Sequence, residues 1–279
     1  MTDLVCCGEI LIDFVPTIQG HGLRHADIFE KAAGGAPANV AVGFSRLGGR
    51  SSFVGKVGAD EFGRFLQETL AEAGVNTDYL YLTEEALTGL AFVSLRDDGE
   101  RDFMFYRRPA ADMLLRPDEV PRGLIERARL LHFGSVSLIA EPAREATLVA
   151  AEFAAERGRL VSFDPNLRPA LWPDLTLAKR QIRQGLAFAS VLKVSEEELM
   201  FITGEAGTAA AANLFREYPR LMLIAVTSGQ RGCMLCLRGR NYTLPAFPVK
   251  TVDTTGAGDG FTAGLLFMLN GRMIERHRD

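Results

Sequence analysis

Short, almost purely apolar runs alternate along the chain with stretches in which apolar residues return every three or four positions. The first run, Leu4 to Ile12, is near-continuous, as expected of a strand covered on both faces. It carries Glu9 and ends in Asp13. After Gly34-Gly35-Ala36, Pro37 suits a first helical turn. Val40, Ala41, Phe44 and Leu47 then share a helical face, with Gly48 as the stop. Ser52 to Val57 reads as a strand, and Asp60 caps a helix with Phe62, Phe65, Leu66 and Leu70 on one side. Leu90 to Leu95 and Asp102 to Tyr106 are two β-rich runs around an Asp98-Gly99 hairpin signal.

Alternation resumes afterwards. Strands are expected at Leu130 to Gly134, Leu160 to Asp164, Val191 to Val194 and Met222 to Thr227. Helices are expected at Pro142 to Arg157, Ile182 to Ala189, Glu196 to Thr203 and Ala209 to Tyr218. This order predicts one α/β domain: a mostly parallel sheet, helices on both faces, and a small β outgrowth from the early hairpin.

Composition narrows the function more than the fold. The 279 residues are 47% hydrophobic, enough for one large core. With 31 basic and 35 acidic residues, scattered rather than clustered, nothing resembles a nucleic-acid surface. No apolar run has the length of a membrane span, and Met1-Thr2-Asp3 lacks the basic start of a signal peptide. The spacing Cys233-x-x-Cys236 falls in an apolar strand, whose positions three apart face opposite ways, so a shared metal is disfavoured. Buried thiols in a reducing cytoplasm account for all four cysteines.

Candidate chemistry concentrates at Val252-Asp253-Thr254-Thr255-Gly256-Ala257-Gly258-Asp259, directly before an apolar helix. Gly256 and Gly258 permit a sharp turn, and a helix start aims backbone N–H groups and a positive dipole end at an anion. Asp259 would repel phosphate, so its best role is general base on a hydroxyl that attacks phosphate. Other polar residues follow expected strands, at the edge where ligands bind in open α/β sheets. Arg168 suits a phosphate or a surface ion pair. Glu198 suits water-mediated Mg²⁺ binding or a solvated face beside Glu196 and Glu197. Asp13 suits a polyol or a strand end, and Asn39 a ligand hydroxyl or its local backbone. No P-loop, H-E-x-x-H or G-x-S-x-G pattern is present, and the histidines show no ligand spacing.

These motifs resemble the ribokinase/pfkB family of sugar kinases. Gly34-Gly35-Ala36-Pro37-Ala38-Asn39 with Leu47-Gly48-Gly49 is similar to its N-terminal signature, and Asp253-Thr254-Thr255-Gly256-Ala257-Gly258-Asp259 to its C-terminal one. Within the family the chain looks most like fructokinases. The stretches Gly99 to Arg107, Phe163 to Pro173 and Lys193 to Leu199 carry that likeness.

The resemblance implies a ribokinase-like three-layer α/β sandwich over residues 1–279, with a β-sheet lid from segments about 13–32 and 89–107. It implies MgATP as donor and D-fructose as acceptor, with Asp259 as base on the C6 hydroxyl and the N–H groups of Gly256, Ala257 and Gly258 as anion hole. Asp13, Gly34, Gly35, Asn39 and Arg107 would serve the sugar side, and Arg168, grouped with substrate binding, matches a nucleotide-side position. Lys193, Glu198, Thr227, Gly229 and Gly232 would serve the nucleotide side. Glu198 would meet Mg²⁺ through water, and K⁺ would bind near Asp253 and Thr255. Ser195 stands where the family has Asn. The lid would pair two copies into a homodimer, and neither nucleic acid nor membrane is a partner. The chain ends at Asp279, before the segment that in the family completes the adenine pocket. Kinases for 2-keto-3-deoxygluconate, ribose or aminoimidazole riboside are the near alternatives. A sugar-binding protein with little or no kinase activity is the alternative from another class.

Overall fold

The computed structural model describes residues 2–17, 22–95, 101–250 and 254–276. The chain opens with strand β1 (Leu4–Cys7), leaves it for β2 (Leu11–Pro16) and β3 (Phe29–Gly34), and enters helix α1 (Ala36–Arg46). Strand β4 (Ser51–Gly58), helix α2 (Glu61–Glu72) and strand β5 (Asn76–Thr83) precede the paired strands β6 (Leu90–Leu95) and β7 (Arg101–Tyr106). Next come α3 (Arg122–Arg127), β8 (Leu130–Gly134), α4 (Ala143–Glu156), β9 (Leu160–Asp164) and α5 (Leu175–Leu186). Then follow β10 (Val191–Ser195), α6 (Glu196–Thr203), α7 (Gly207–Glu217) and β11 (Leu223–Thr227). The described chain closes with β12 (Cys233–Leu237), β13 (Arg240–Leu244) and the long helix α8 (Ala257–Arg276).

The large sheet has nine strands in the order β13-β12-β11-β10-β9-β8-β1-β4-β5. From β5 to β11 every pairing is parallel, while β12 and β13 fold back antiparallel at one edge. Side chains alternate across this sheet with period two. Leu4 and Cys6 therefore join Phe44, Leu66 and Leu266 in the core under α1, α2 and α8. Val5 and Cys7 join Ala150, Ile182 and Leu214 in the core on the opposite face. A separate four-stranded sheet, ordered β3-β2-β6-β7, draws on the stretches expected to leave the core. Residues 18–21 and the hairpin turn 96–100 lie outside the described residues. Among the described residues, no helix is long and apolar enough to cross a membrane.

Four expectations need correction. The apolar run Leu4 to Ile12 is not one strand: it divides between β1 in the large sheet and β2 in the small one. The break falls at Gly8, where a Cβ would come within 2.8 Å of Pro37 Cγ, so the first turn of α1 packs directly on bare backbone. Strands β5 and β13 were not expected, because Asn76–Thr83 is rich in polar residues and every residue of Arg240–Leu244 is exposed. Leu47 is 49% exposed, since it caps the end of α1 after the buried face has turned away. Cys236 is buried but Cys233 only partly so, since they point to opposite faces of β12, the strand next to the sheet edge.

Candidate active site

The carboxyl ends of the parallel strands, the small sheet and the first turns of α1 and α8 enclose a cleft of about 930 Å³, including its open mouth. Asp13 enters from β2, and Gly35, Ala36 and Asn39 from the start of α1. Asn166 and Arg168 follow β9, and Lys193 projects from β10. Thr254, Thr255, Gly256, Gly258 and Asp259 bring the start of α8. Ala91, Val93 and Phe105 of the small sheet supply apolar wall.

Asp259 sits in the first turn of α8 and is 8% exposed. Asn39 donates from Nδ2 to its Oδ2 at 2.8 Å, and Asn166 from Nδ2 to its Oδ1 at 3.5 Å. Burial pushes this carboxyl above the usual range, while the Asn39 hydrogen bond and the charges of Lys193 and Arg168 pull it back. It is thus a buried carboxylate with a fixed orientation. Helix packing sets that orientation: α1 lies on α8, with Phe44 and Phe267 edge to face at 5.7 Å.

Gly256 holds φ at +72°, a left-handed value that suits glycine, and so turns the chain into α8 beneath the cleft. Of the three N–H groups expected to form an anion hole, that of Ala257 donates to the carbonyl of Thr254 at 3.1 Å. Gly256 and Gly258 line the cleft; Ala257 does not.

Asp13 is partly buried. Burial raises its carboxyl to about 6, against the pull of Arg168 and with the push of Asp259. Gly34 lies against it: a Cβ there would stand 2.2 Å from Asp13 Oδ2. Gly35, at φ +111°, has a similar constraint, with a Cβ only 2.5 Å from the carbonyl oxygen of Glu9. The two glycines therefore let β3 and α1 close on β2 where a side chain would force them apart.

Lys193 pairs with Asp164 at 3.0 Å, both nearly buried, and Thr262 donates to the same Asp164 oxygen at 3.2 Å. Burial alone would lower the Lys193 ammonium; the carboxylates of Asp164 and Glu198 outweigh it and raise the group. His132 is buried near Lys193, held to about 3 by burial, and bonds Ser162.

Several expected residues lie elsewhere. Arg107 is buried, pairs with Asp112 at 2.5 Å and does not line the cleft. Glu198 ties two elements together, accepting from Leu167 N at 2.7 Å and, in a capping box with Ser195, from Ser195 N at 2.8 Å. Thr227, Gly229 and Gly232 form the turn leaving β11, beyond the cleft wall. Asp253 lies outside the described residues. Asn166 and Glu9 line the cleft without having been among the expected ligands. Asn166 occupies the left-handed region at φ 43°, a conformation that Asn tolerates. Glu9 was hidden inside an apolar run that read as one strand.

Among the described residues, no group of three or more His, Cys, Asp or Glu side chains could hold a metal ion. Glu198 uses one acceptor position on each oxygen and keeps others, which suits a hydrated cation better than direct ligation.

Residues 1–272 match the profile of the pfkB family carbohydrate kinase. Fructokinase-2 of Solanum habrochaites is 51% identical over 263 residues, spanning 94% of this chain and 80% of that protein. The structure of fructokinase with bound ATP from Xylella fastidiosa superposes with a TM-score of 0.87 at 39% identity, covering 96% of this chain and 81% of that one. A double mutant of fructokinase from Vibrio cholerae O395, bound to fructose, ADP and potassium ion, gives 0.86 at 36% identity, covering 97% and 84%.

Proposed function

The chain belongs to the pfkB family of carbohydrate kinases, and from that premise we propose that it phosphorylates D-fructose with ATP, giving fructose 6-phosphate and ADP. The supporting observation is the buried Asp259 carboxylate, held by Asn39 beside the glycine-rich start of α8, in one cleft with Asp13 and Arg168.

Asp259 takes the proton of the 6-hydroxyl as that oxygen attacks the γ-phosphate. Its ionised form is the active one, and Asn39, Lys193 and Arg168 favour that form against the cost of burial. The N–H groups of Gly256 and Gly258, at the start of α8, face the phosphoryl oxygens, where the helix dipole adds to their effect. Arg168 grips the transferred group, and Asp13, Gly34, Gly35 and Asn39 shape the sugar site. Arg107 acts there indirectly, through Asp112 and the backbone carbonyl of Val136. Lys193, Thr227, Gly229 and Gly232 border the nucleotide.

Mg²⁺ when bound neutralises charge on the phosphates. Glu198 would hold it through water, and Asp253 and Thr255 would hold K⁺. The small sheet is a lid over the sugar and pairs two copies into a homodimer; the exposed side chains of Val15, Met104 and Tyr106 support that pairing. The enzyme works in the cytoplasm, consistent with its free cysteines.

Coupled ADP release with fructose, ribose, 2-keto-3-deoxygluconate and aminoimidazole riboside tests the reading. Fructose should give the highest kcat/KM, and absence of fructose-dependent turnover overturns it. Asp259→Asn should lower kcat by roughly two to four orders of magnitude while fructose still binds in calorimetry. Unchanged turnover removes Asp259 from the reaction.

A further inference from the structure

Glu9 stands between the two sheets, in the short link from β1 to β2, and is 3% exposed. One carboxyl oxygen, Oε1, accepts from the N–H of Ala36 in the first turn of α1 at 3.3 Å. The other, Oε2, is buried with no hydrogen-bond partner among the described residues. Leaving such an atom unpaired costs free energy that folding alone does not repay. If Glu9 only anchored α1, one oxygen would suffice, as Asp174 Oδ1 does for α5 and Asp60 Oδ1 for α2, where the second Asp60 oxygen has its own partner in the N–H of Thr88. Yet Glu9 belongs to the wall of the same cleft as Asp13, Asn39 and Asp259, and Oε2 lies just beneath its surface.

We propose that Glu9 is a specificity-determining residue of the sugar site, whose Oε2 binds a hydroxyl of the acceptor other than the one that is phosphorylated. This rests on the fructokinase reading above. The geometry supports it. Ala36, which holds Glu9, and Asn39, which holds Asp259, are three residues apart on α1, roughly 5–6 Å along one helix face. One turn of helix thus sets the distance between the acid that reads the sugar and the base that activates it, a span that one sugar ring covers. The chemistry favours a hydroxyl over a phosphate. Burial raises the Glu9 carboxyl to about 7, with its own backbone N–H, Arg107 and the Ala36 N–H pulling it down and Asp112 pushing it up. A carboxyl poised there is present both protonated and ionised. A hydroxyl donates to one form and accepts from the other, whereas phosphate is repelled by the ionised form.

The test is a cycle of enzyme variant against substrate analogue. Glu9→Met removes both oxygens at similar length, and Glu9→Gln keeps an acceptor for Ala36. Each is assayed on fructose, its 1-, 3- and 4-deoxy forms and 2,5-anhydromannitol. Glu9→Met should raise the KM for fructose roughly 10- to 100-fold, the worth of a hydrogen bond to a charged group, with kcat and the KM for ATP little changed. For one analogue, the one that lacks the bound hydroxyl, wild type and Glu9→Met should show nearly equal kcat/KM. A penalty of equal size on every sugar makes Glu9 a structural anchor only and overturns the inference. If neither variant folds, a crystal structure of the wild type with fructose decides. A sugar oxygen within hydrogen-bond distance of Oε2 supports the inference; none within that distance overturns it. A wild type inactive on fructose overturns the fructokinase reading first and this inference with it, whereas an active wild type with uniform penalties overturns this inference alone.

Discussion

Replacing Asn39 by Ala isolates one determinant of the base. In the wild type, Asn39 Nδ2 donates to Asp259 Oδ2 at 2.8 Å, and the carboxylate is 8% exposed, so water cannot replace the lost donor fully. A hydrogen bond to a charged group contributes about 1.5–3 kcal/mol. One pKa unit corresponds to about 1.4 kcal/mol, so the loss should raise the Asp259 carboxyl by about one to two units. The direction follows from what the bond does. It favours the ionised form and opposes the upward push of burial; removing it adds to that push. Asn166, at 3.5 Å from the other oxygen, is too distant to compensate. The assay is kcat/KM for fructose at saturating ATP from about pH 5 to about pH 9, which reports the ATP-bound enzyme before the sugar binds. The acid limb of the variant should move to higher pH by about one to two units. A contact from Asn39 to the sugar would instead lower the whole profile without moving the limb. An unmoved limb therefore refutes the claim that this bond tunes the base.

Three further predictions follow from other contacts. Gly34→Ala places a Cβ 2.2 Å from Asp13 Oδ2 and so displaces that carboxyl; fructose KM should rise by up to about 100-fold with ATP KM unchanged, and an unaltered fructose KM shows that Asp13 does not hold the sugar. Lys193→Met leaves Asp164 buried without its cation and should cost about 3–5 kcal/mol in urea unfolding, most of it recovered when Asp164→Leu is added; a loss below about 1 kcal/mol contradicts the ion-pair assignment. Asp13 binds its proton more tightly folded than unfolded, since burial raises its carboxyl from 3.8 to about 6. The stability tied to that proton is fully present below about pH 4 and is lost as pH rises through about 6. Asp13→Asn should therefore gain on the wild type by about 2 kcal/mol across that window, after allowance for partial exposure, and a pH-independent difference rules the charge out as the cause.

The alternation of apolar runs with helical spacing was enough to predict a parallel sheet covered on both faces, because each pattern reflects which sides of an element are buried. The glycine-rich approach to Asp259 was legible for a similar reason: backbone conformation and helix polarity are local, and a carboxylate beside an anion site has few roles. The pattern failed where burial and strand continuity part company. Leu4 to Ile12 is apolar throughout, yet it serves two sheets, and only the packing of Pro37 on Gly8 reveals the break. The same break puts Glu9, which the sequence hides among core residues, on the wall of the cleft. Arg107 and Glu198 show the reverse. Their chemistry suits ligands, but Asp112 claims one and the backbone at Leu167 and Ser195 engages the other. Most of the elements, and the glycine-rich turn into α8, were thus legible in local sequence. Which polar groups reach the cleft and which are already paired was decided by the tertiary structure, because hydrogen-bond partners far apart in the chain compete for each buried polar atom.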